Sequence, residues 1–516
     1  MSAETRNPAR RVLNMAPPAQ SGDVPRRGRW LGAALIAAVF VLLTGAVVLT
    51  GKVGTGESAD QVNYHVPVIR AFAESMPTPD LTRYESATTP GYHLMMAVVW
   101  KATGAAARWP STPVAPVGAG PTAEYPAVAL TEPQRAAWSA FLRDLRPMQF
   151  INILLSAGLL LTVYLVAARS VVWWVAAMVT LPLAMNQYVM GAAIWLTTDN
   201  AAWWFAFAAL GAAMEMTGAG GVVRAGVWAV LAVLVRQVHL WVCGPIAAAG
   251  GLVWFLGARE RRARTLAATV LACAVPTVVV AGFVVAWKGL TPPSERIREV
   301  HGHGINLAAI PFALSLVAAY AVFFVGAWRD QVQALRKHSG LVAAVVVVGV
   351  ALALMTATST QQPTLTDPPQ RGYGWLWKAS GMLPAVGGRS PLFVALAPCG
   401  LLAVMMLFRA ARERGNARGA VILIVGMACW LAAQVVNPAA WQRYFDPVVL
   451  GSLAWLAALG VPAVRLRGLA IGAAVLGLFM TGLSYRSIWR DLSKNALPFD
   501  GGVLKMQGKL DAAAVP

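Results

Sequence analysis

Apolar runs about one bilayer long alternate with short, mostly basic connections along this chain. The first, Trp30 to about Gly51, holds about 20 apolar residues, enough to cross about 30 Å of hydrocarbon. Further runs fall at roughly 148–167, 171–190, 200–217, 223–237, 238–257, 266–287, 305–327, 340–357, 390–408, 419–437, 445–464 and 468–485. Each is long enough, or nearly so, to cross. The pattern predicts an all-α polytopic membrane protein, a bundle of about 13 transmembrane helices within residues 29–485. The division is least sharp between Val223 and Trp254, where Arg236-Gln237 and Gly244-Pro245 interrupt it. A secretory signal has a shorter core and a small-residue cleavage site, so the first run reads as an anchor. Residues 1–28, rich in Pro, Ala and Arg, read as a disordered basic tail, and 486–516 as an outer tail.

The charges test the count. Arg10, Arg11, Arg26, Arg27 and Arg29 place the amino terminus in the cytoplasm. Counted from there, every second connection is basic, with Arg169, then Arg224, then Arg259, Arg261, Arg262 and Arg264. Arg329, Arg336 and Lys337 follow, then Arg409, Arg412, Arg414 and Arg418, and last Arg465 and Arg467. Losing one helix would swap the sides of all later loops, so this alternation supports the count and an outer carboxy terminus. The first outer loop, 52–147, is too long for a simple connector. In it, Val66, Ile69, Ala73 and Met76 recur at helical spacing and predict a short amphipathic helix at the membrane surface. Pro90 to Ala107 predicts a second, and the Pro/Ala/Gly-rich stretch from Pro110 to Pro126 an irregular segment. A second large outer loop, 358–389, carries Asp367, Arg371, Tyr373, Trp375 and Trp377.

Composition excludes a water-soluble domain: 58% of the 516 residues are hydrophobic and 12% charged, with a mean hydropathy of +0.59, against about a quarter charged in soluble domains. The net charge of +20 raises nucleic-acid binding, but the Lys and Arg sit mainly in connections that set topology, so no nucleic acid partner is expected. Cys243, Cys273, Cys399 and Cys429 lie in or beside apolar runs without CxxC spacing, which predicts four buried free thiols.

Candidates for chemistry lie at the predicted outer helix ends. Asp60 follows the first run, and a carboxylate at the mouth of a membrane helix needs water or a partner; it is placed to act as a general base, or to be a solvated loop residue. Asp199, in Thr197-Thr198-Asp199-Asn200, has the same choice between chemistry and capping a helix. Arg236 and Arg443 suit a phosphate, since a guanidinium is always charged and offers forked donors; snorkelling to the interface is the plainer account. Arg443 lies in Trp441-Gln442-Arg443-Tyr444-Phe445-Asp446-Pro447, where Tyr444 would meet a sugar ring or join an aromatic belt. His301 and His303 flank Gly302 with no third ligand nearby, so phosphate or sugar binding stands beside an ordinary loop, and no metal is expected. No P-loop, GxSxG or HExxH occurs, which leaves an activated donor as the energy source for group transfer.

These residues resemble the GT-C superfamily of membrane glycosyltransferases, most nearly its dolichol-phosphate-glucose α-1,2-glucosyltransferase (Die/Alg type) family. Tyr64-His65-Val66-Pro67 after Asp60 resembles that family's Asp-Glu…Phe-His-Ile-Pro. Thr88-Thr89-Pro90-Gly91-Tyr92 resembles its Thr-Thr-Pro-Pro-Gly-Leu-Tyr. Thr198-Asp199 resembles its Tyr-Thr-Asp or Tyr-Thr-Glu, and Arg236-Gln237 with Trp241 its Arg-Gln-Thr-Asn…Trp. The order and membrane side agree over about residues 58–241. Beyond that the likeness is one of topology, with an outer His and the Arg443-Tyr444-Phe445 cluster. Gln61 replaces the family's second acid, the spacer from Asp60 to His65 is one residue longer, and Val238-His239 replaces Thr-Asn.

The resemblance implies an inverting, cofactor-free transfer of a hexose, glucose-like in the family, from a polyprenyl-phosphate sugar to a glycan or glycolipid acceptor. Asp60 would be the base, and Asp199 would orient the acceptor or support the site. Arg236, with His301 or Arg443, would hold the donor phosphate, and His65, Thr89, Tyr92, Gln237, His303 and Tyr444 the substrates. The Ala/Val/Arg-heavy composition suggests a high-GC bacterium, with the site on the periplasmic face of the inner membrane. Two other readings stay open. One is a protein or lipid A mannosyl or aminosugar transferase of the same superfamily. The other is a non-catalytic transporter or flippase, which predicts polar groups near the midplane and discontinuous helices.

Overall fold

A computed structural model describes residues 26–50, 60–104, 133, 136, 140–141, 143–256, 259–294, 305–358, 374–437 and 439–489. The tails before 26 and after 489, the stretch 110–126, His301, His303, Asp367, Arg371 and Tyr373 lie outside the described residues. Among the described residues the regular structure is almost all helical, and Val386 and Arg389 form an isolated antiparallel bridge. In chain order the helices are α1 (Arg26–Thr50), α2 (Val66–Ser75), α3 (Gly91–Thr103), α4 (Arg146–Ala167), α5 (Trp173–Ala184) and α6 (Gln187–Ile194). Then come α7 (Asp199–Met214), α8 (Ala219–Val235), α9 (Cys243–Leu256), α10 (Arg259–Trp287), α11 (Ala309–Ala321) and α12 (Val325–Arg336). The remainder are α13 (Ser339–Leu354), α14 (Trp375–Gly381), α15 (Pro391–Glu413), α16 (Ala417–Val435), α17 (Asp446–Gly460) and α18 (Leu466–Ser484).

Among the described residues, 8 helical segments are long and apolar enough to cross a membrane, or 9 if a bent pair counts as one span. This is a helical, multi-pass membrane architecture. Its outer surface agrees: Leu42, Val278, Val285 and Leu478 are each at least 68% exposed, which lipid solvates and water does not. The bent pair is α5 and α6, which meet at 73°. Pro182 lies inside α5, removing a backbone donor one turn before the break. Asn186 then starts α6, its Oδ1 accepting from the Tyr188 and Val189 N–H groups at 2.9 and 3.3 Å.

Both helices expected in the first outer loop are present. α2 buries Val66, Val68, Ile69, Phe72 and Ala73, and α3 buries Tyr92, His93, Met96, Ala97 and Trp100. The buried face of α2 thus rests on protein. α1 begins at Arg26, so the expected tail is shortened by a first helical turn. The four cysteines are free, as expected, but the expectation that they are buried is corrected: Cys399 is exposed and the others half-buried. In an apolar solvent a thiol needs no burial, since it has little polar surface to hide.

The bundle sorts its charged connections between its ends. Glu215 pairs with Arg169 and with Arg224, the latter at 3.0 Å, and Arg418 donates to the Met216 carbonyl. Arg465 bonds Asp330 at 2.5 and 3.0 Å, and Gln331 Nε2 donates to Glu413 at 2.5 Å. The connections expected on the basic side are therefore neighbours in space. Asp60, Asp199, Arg236 and Arg443 form a separate group.

Candidate active site

Asp60 leads into a π-helical turn, Gln61–His65, that runs into α2. A π-turn is what one extra residue makes inside an α-helix. On an α-helix of about 3.6 residues per turn, a residue five places on points well away; the wider turn keeps Asp60 and His65 on one side. The extra residue noted between them is thereby absorbed. Gln61, where the resembling family has a second acid, turns inward and is fully buried. Its Oε1 accepts from the Leu196 N–H at 2.8 Å and from Gln149 Nε2 at 3.4 Å, tying the turn to the α6–α7 connection.

The four charged candidates meet as two ion pairs. Arg443 Nη1 bonds Asp60 Oδ2, and Arg236 Nη1 bonds Asp199 Oδ1. Asp60 and Asp199 remain 27% and 14% exposed, so these pairs are shielded well beyond an ordinary surface bridge. Asp199 is the first residue of α7, and Arg236 ends α8 in extended geometry before the 3-10 turn Gln237–Val242. Arg443 sits in the 3-10 turn Gln442–Tyr444 that precedes α17. Tyr444 lies between the cations: Arg236 is 5.2 Å from its ring centre and Arg443 5.0 Å. Arg443 is also 4.6 Å from the Trp441 ring, and its Nη2 donates to the Tyr444 hydroxyl at 2.9 Å. Ring faces and a hydroxyl thus hold the guanidinium plane. Beside it, Asp199 and Arg443 join Tyr188, Ala192, Thr197, Asn200, Trp203 and Pro447 around a small, partly open pocket.

The other candidates divide into site and scaffold. Thr89 is fully buried; its hydroxyl donates to the Val233 carbonyl at 2.6 Å and its N–H to Gln237 Oε1 at 3.1 Å. Gln237 Nε2 donates to the Ala87 and Leu290 carbonyls. Tyr92 is buried too, with its hydroxyl donating to Asn152 Oδ1 at 3.2 Å, while Asn152 Nδ2 bonds the carbonyls of Ala192, Ala193 and Trp195. These groups fasten the first outer loop to α8 and α4 and aim Asp60 and Arg236; they do not line the pocket. Gly91 belongs to the same fastening, since a Cβ there would meet the Leu234 carbonyl oxygen at 2.6 Å.

His93 and Asn152 were not singled out in the sequence, and the structure gives His65, His239 and Asp446 partners that the sequence did not show. His65 Nδ1 lies 2.9 Å from Nε2 of fully buried His93, with the rings 22° from parallel. Burial lowers the His65 pKa to about 4, opposed by the charges of Asp60 and Asp199 and assisted by those of Arg236 and Arg443. Burial likewise drives His93 well below the ordinary value, with His65 adding to it. Both imidazoles are neutral near pH 7. His239 is buried behind Asp199, edge-on to Trp203 at 4.5 Å and accepting from Trp241 Nε1 at 3.2 Å. Asp446 is buried among neutral donors, taking the Tyr320 hydroxyl at 2.8 Å, Asn186 Nδ2 at 2.8 Å and Gln442 Nε2 at 3.1 Å. It ties the α5–α6 break, α11 and the Arg443 turn together. A polar residue four places from Gln442 at the start of a helix was the available signal.

The chemistry this allows is specific. Each carboxylate uses one oxygen on its arginine, and each arginine has further N–H groups to offer an anion. The site therefore brings two carboxylates and two guanidiniums together, with Asp199 and Arg443 lining the partly open pocket. The chain matches no family model, and no curated protein matches it in sequence.

Proposed function

We propose that this protein is an inverting glycosyltransferase of GT-C type. It moves a hexose from a polyprenyl-phosphate sugar to a glycan or glycolipid acceptor at the outer face of a bacterial inner membrane. The observation that carries this reading is the meeting of Asp60–Arg443 and Asp199–Arg236 around Tyr444. Asp60 takes the proton of the acceptor hydroxyl while that oxygen attacks the anomeric carbon and the bond to the phosphate oxygen breaks. Arg236 and Arg443 receive the charge that develops on the departing phosphate, the kind of stabilisation that contributes most in such reactions. Asp199 keeps Arg236 aimed, and Tyr444 gives the sugar a ring to lie against. The π-turn supports the likeness to the Die/Alg type, because it accommodates the longer spacer without separating Asp60 from His65.

In this reading the bundle has about 13 spans. The 8 long segments and the bent pair are joined by α7, α8, α13 and α17, which have 16, 17, 16 and 15 residues. These are short for about 30 Å of hydrocarbon, and their polar ends then lie within the headgroup region.

The test is transfer from a panel of labelled polyprenyl-phosphate sugars to native membrane lipids and glycans, with Asp60→Asn alongside. Transfer from one donor, lost in the variant while donor binding persists, supports the proposal; equal transfer by both refutes the role of Asp60. One observation favours the transporter reading, the break between α5 and α6 with Asn186 bonded to Asp446 inside the bundle. Lipid translocation in proteoliposomes that Asp60→Ala blocks while leaving sugar transfer intact would select it.

A further inference from the structure

We infer that His93 is a positioning residue that donates its Nε2–H to His65 Nδ1, keeping the His65 proton on Nε2 and making the outer edge of that ring a hydrogen-bond donor beside Asp60. The inference rests on the reading of Asp60 as the base. Its geometry is independent of that reading: the two nitrogens are 2.9 Å apart and the ring centres 5.2 Å, the spacing of rings joined edge to edge through those nitrogens.

Two neutral arrangements fit one such bond. If His65 were the donor, His93 would carry its proton on Nδ1. That atom is buried and has no partner among the described residues, inside a box where Phe72, Tyr84 and Tyr92 put their rings 6.5, 6.4 and 5.7 Å from the imidazole. The Tyr84 and Tyr92 hydroxyls bond Thr88 O and Asn152 Oδ1 instead. The arrangement would leave an N–H orphaned in an apolar enclosure, which folded proteins seldom tolerate. If His93 is the donor, its Nδ1 carries only a lone pair.

The site side is compatible with this. His65 sits one π-turn after Asp60; the charges of Asp60 and Asp199 favour a proton on it and those of Arg236 and Arg443 oppose one. With Asp60 the nearer neighbour in the turn, an Nε2–H on His65 is favoured over a lone pair there. His65 is then no rival base to Asp60. It is a neutral donor that can hold the acceptor oxygen or the carboxylate, and His93 prevents it from turning the other way.

The experiment is nitrogen NMR on the full-length protein labelled at its 6 histidines, in lipid nanodiscs near pH 7.5, with His65 assigned by its loss in His65→Asn. The expected wild-type result is a neutral His65 protonated at Nε2. His93→Phe removes the donor and should spread the proton over both nitrogens; His93→Gln, whose amide can donate, should restore the wild-type pattern. Sugar transfer should fall about tenfold in His93→Phe at unchanged donor KM and recover in His93→Gln. A wild-type His65 protonated at Nδ1, or a pattern unchanged in folded His93→Phe, overturns the inference. The nitrogen shifts are read without turnover, so a chain inactive on every donor would refute the transferase reading while the role of His93 is still decided.

Discussion

Arg443 pairs with Asp60 across 383 positions of sequence. The pair joins the turn before α17 to the turn after α1, and it sets the base and a phosphate-binding cation of the proposed reaction against each other. A donor phosphate entering the site therefore competes with a carboxylate for the same guanidinium. Asp60→Asn should lower the transfer rate by about 10²–10⁴-fold, the usual share of a general base, and tighten donor binding, because Arg443 loses its anionic competitor. Initial rates and a donor-binding isotherm on the same preparation check both halves; weaker binding would contradict the competition.

Charge alone does not describe Arg443. Its plane is held by the Trp441 and Tyr444 rings and by the Tyr444 hydroxyl. Arg443→Lys keeps the charge and loses the fork and the stacking. Transfer should fall by about 10–100-fold, with a comparable loss for Tyr444→Leu, in line with a misaligned electrostatic donor. Full activity in Arg443→Lys would mean that the site needs only a positive charge.

Acid should destabilise the protein through the histidine pair. Burial holds the folded-state pKa of His65 near 4, below its ordinary 6.5, in the company of Asp60, Asp199, Arg236, Arg443 and His93. The stability gained from a neutral ring is complete above about pH 6.5 and is lost as pH falls toward 4. The unfolding temperature of the wild type should therefore drop over that window more steeply than that of His65→Asn. Parallel curves would remove His65 as the cause.

Asp446 receives hydrogen bonds from Tyr320, Asn186 and Gln442 and has no ion pair among the described residues. Asp446→Leu leaves those donors buried and unsatisfied, each at about 1–3 kcal/mol, so the unfolding temperature should fall sharply. Asp446→Asn retains one acceptor and should fall less. An unchanged midpoint in Asp446→Leu would mean that the three donors find other partners.

Gly91 has no room for a methyl group against the Leu234 carbonyl. Gly91→Ala should lift α3 from α8, disturb the bonds between Thr89 and α8, and destabilise by about 1–3 kcal/mol as overpacking does. Activity should fall although no reacting group has been touched. Gly104→Ala, at the far end of α3 with open space around it but a left-handed φ of 67°, serves as the contrast, strained locally and away from the site.

The legibility of this protein in its sequence followed the rarity of charge in apolar surroundings. Asp60, Asp199, Arg236 and Arg443 stood out because each ends an apolar run, and folding brings all four together. Every apolar run assigned to a span is mainly helical where described, yet α7, α13 and α17 are shorter than the runs that suggested them. The break at Asn186 lay hidden in an apolar stretch, though Pro182 marked it. His93 could not be singled out, because a histidine within a mostly apolar helix looks like core until its partner is known. Thr89 and Tyr92 were found by likeness, while their hydroxyls serve the scaffold. Hydrogen-bonded hubs such as Asn152 and Asp446 depend on contacts between distant segments, which periodicity does not encode.

Two carboxylates and two guanidiniums give the site no net formal charge when nothing is bound. Arginines kept beside a bilayer without anions would repel one another and favour a looser fold. Here each carries a resident counter-ion, so the cationic wall is assembled before any ligand arrives. An incoming anion then exchanges for a carboxylate already in place and need not build its own site.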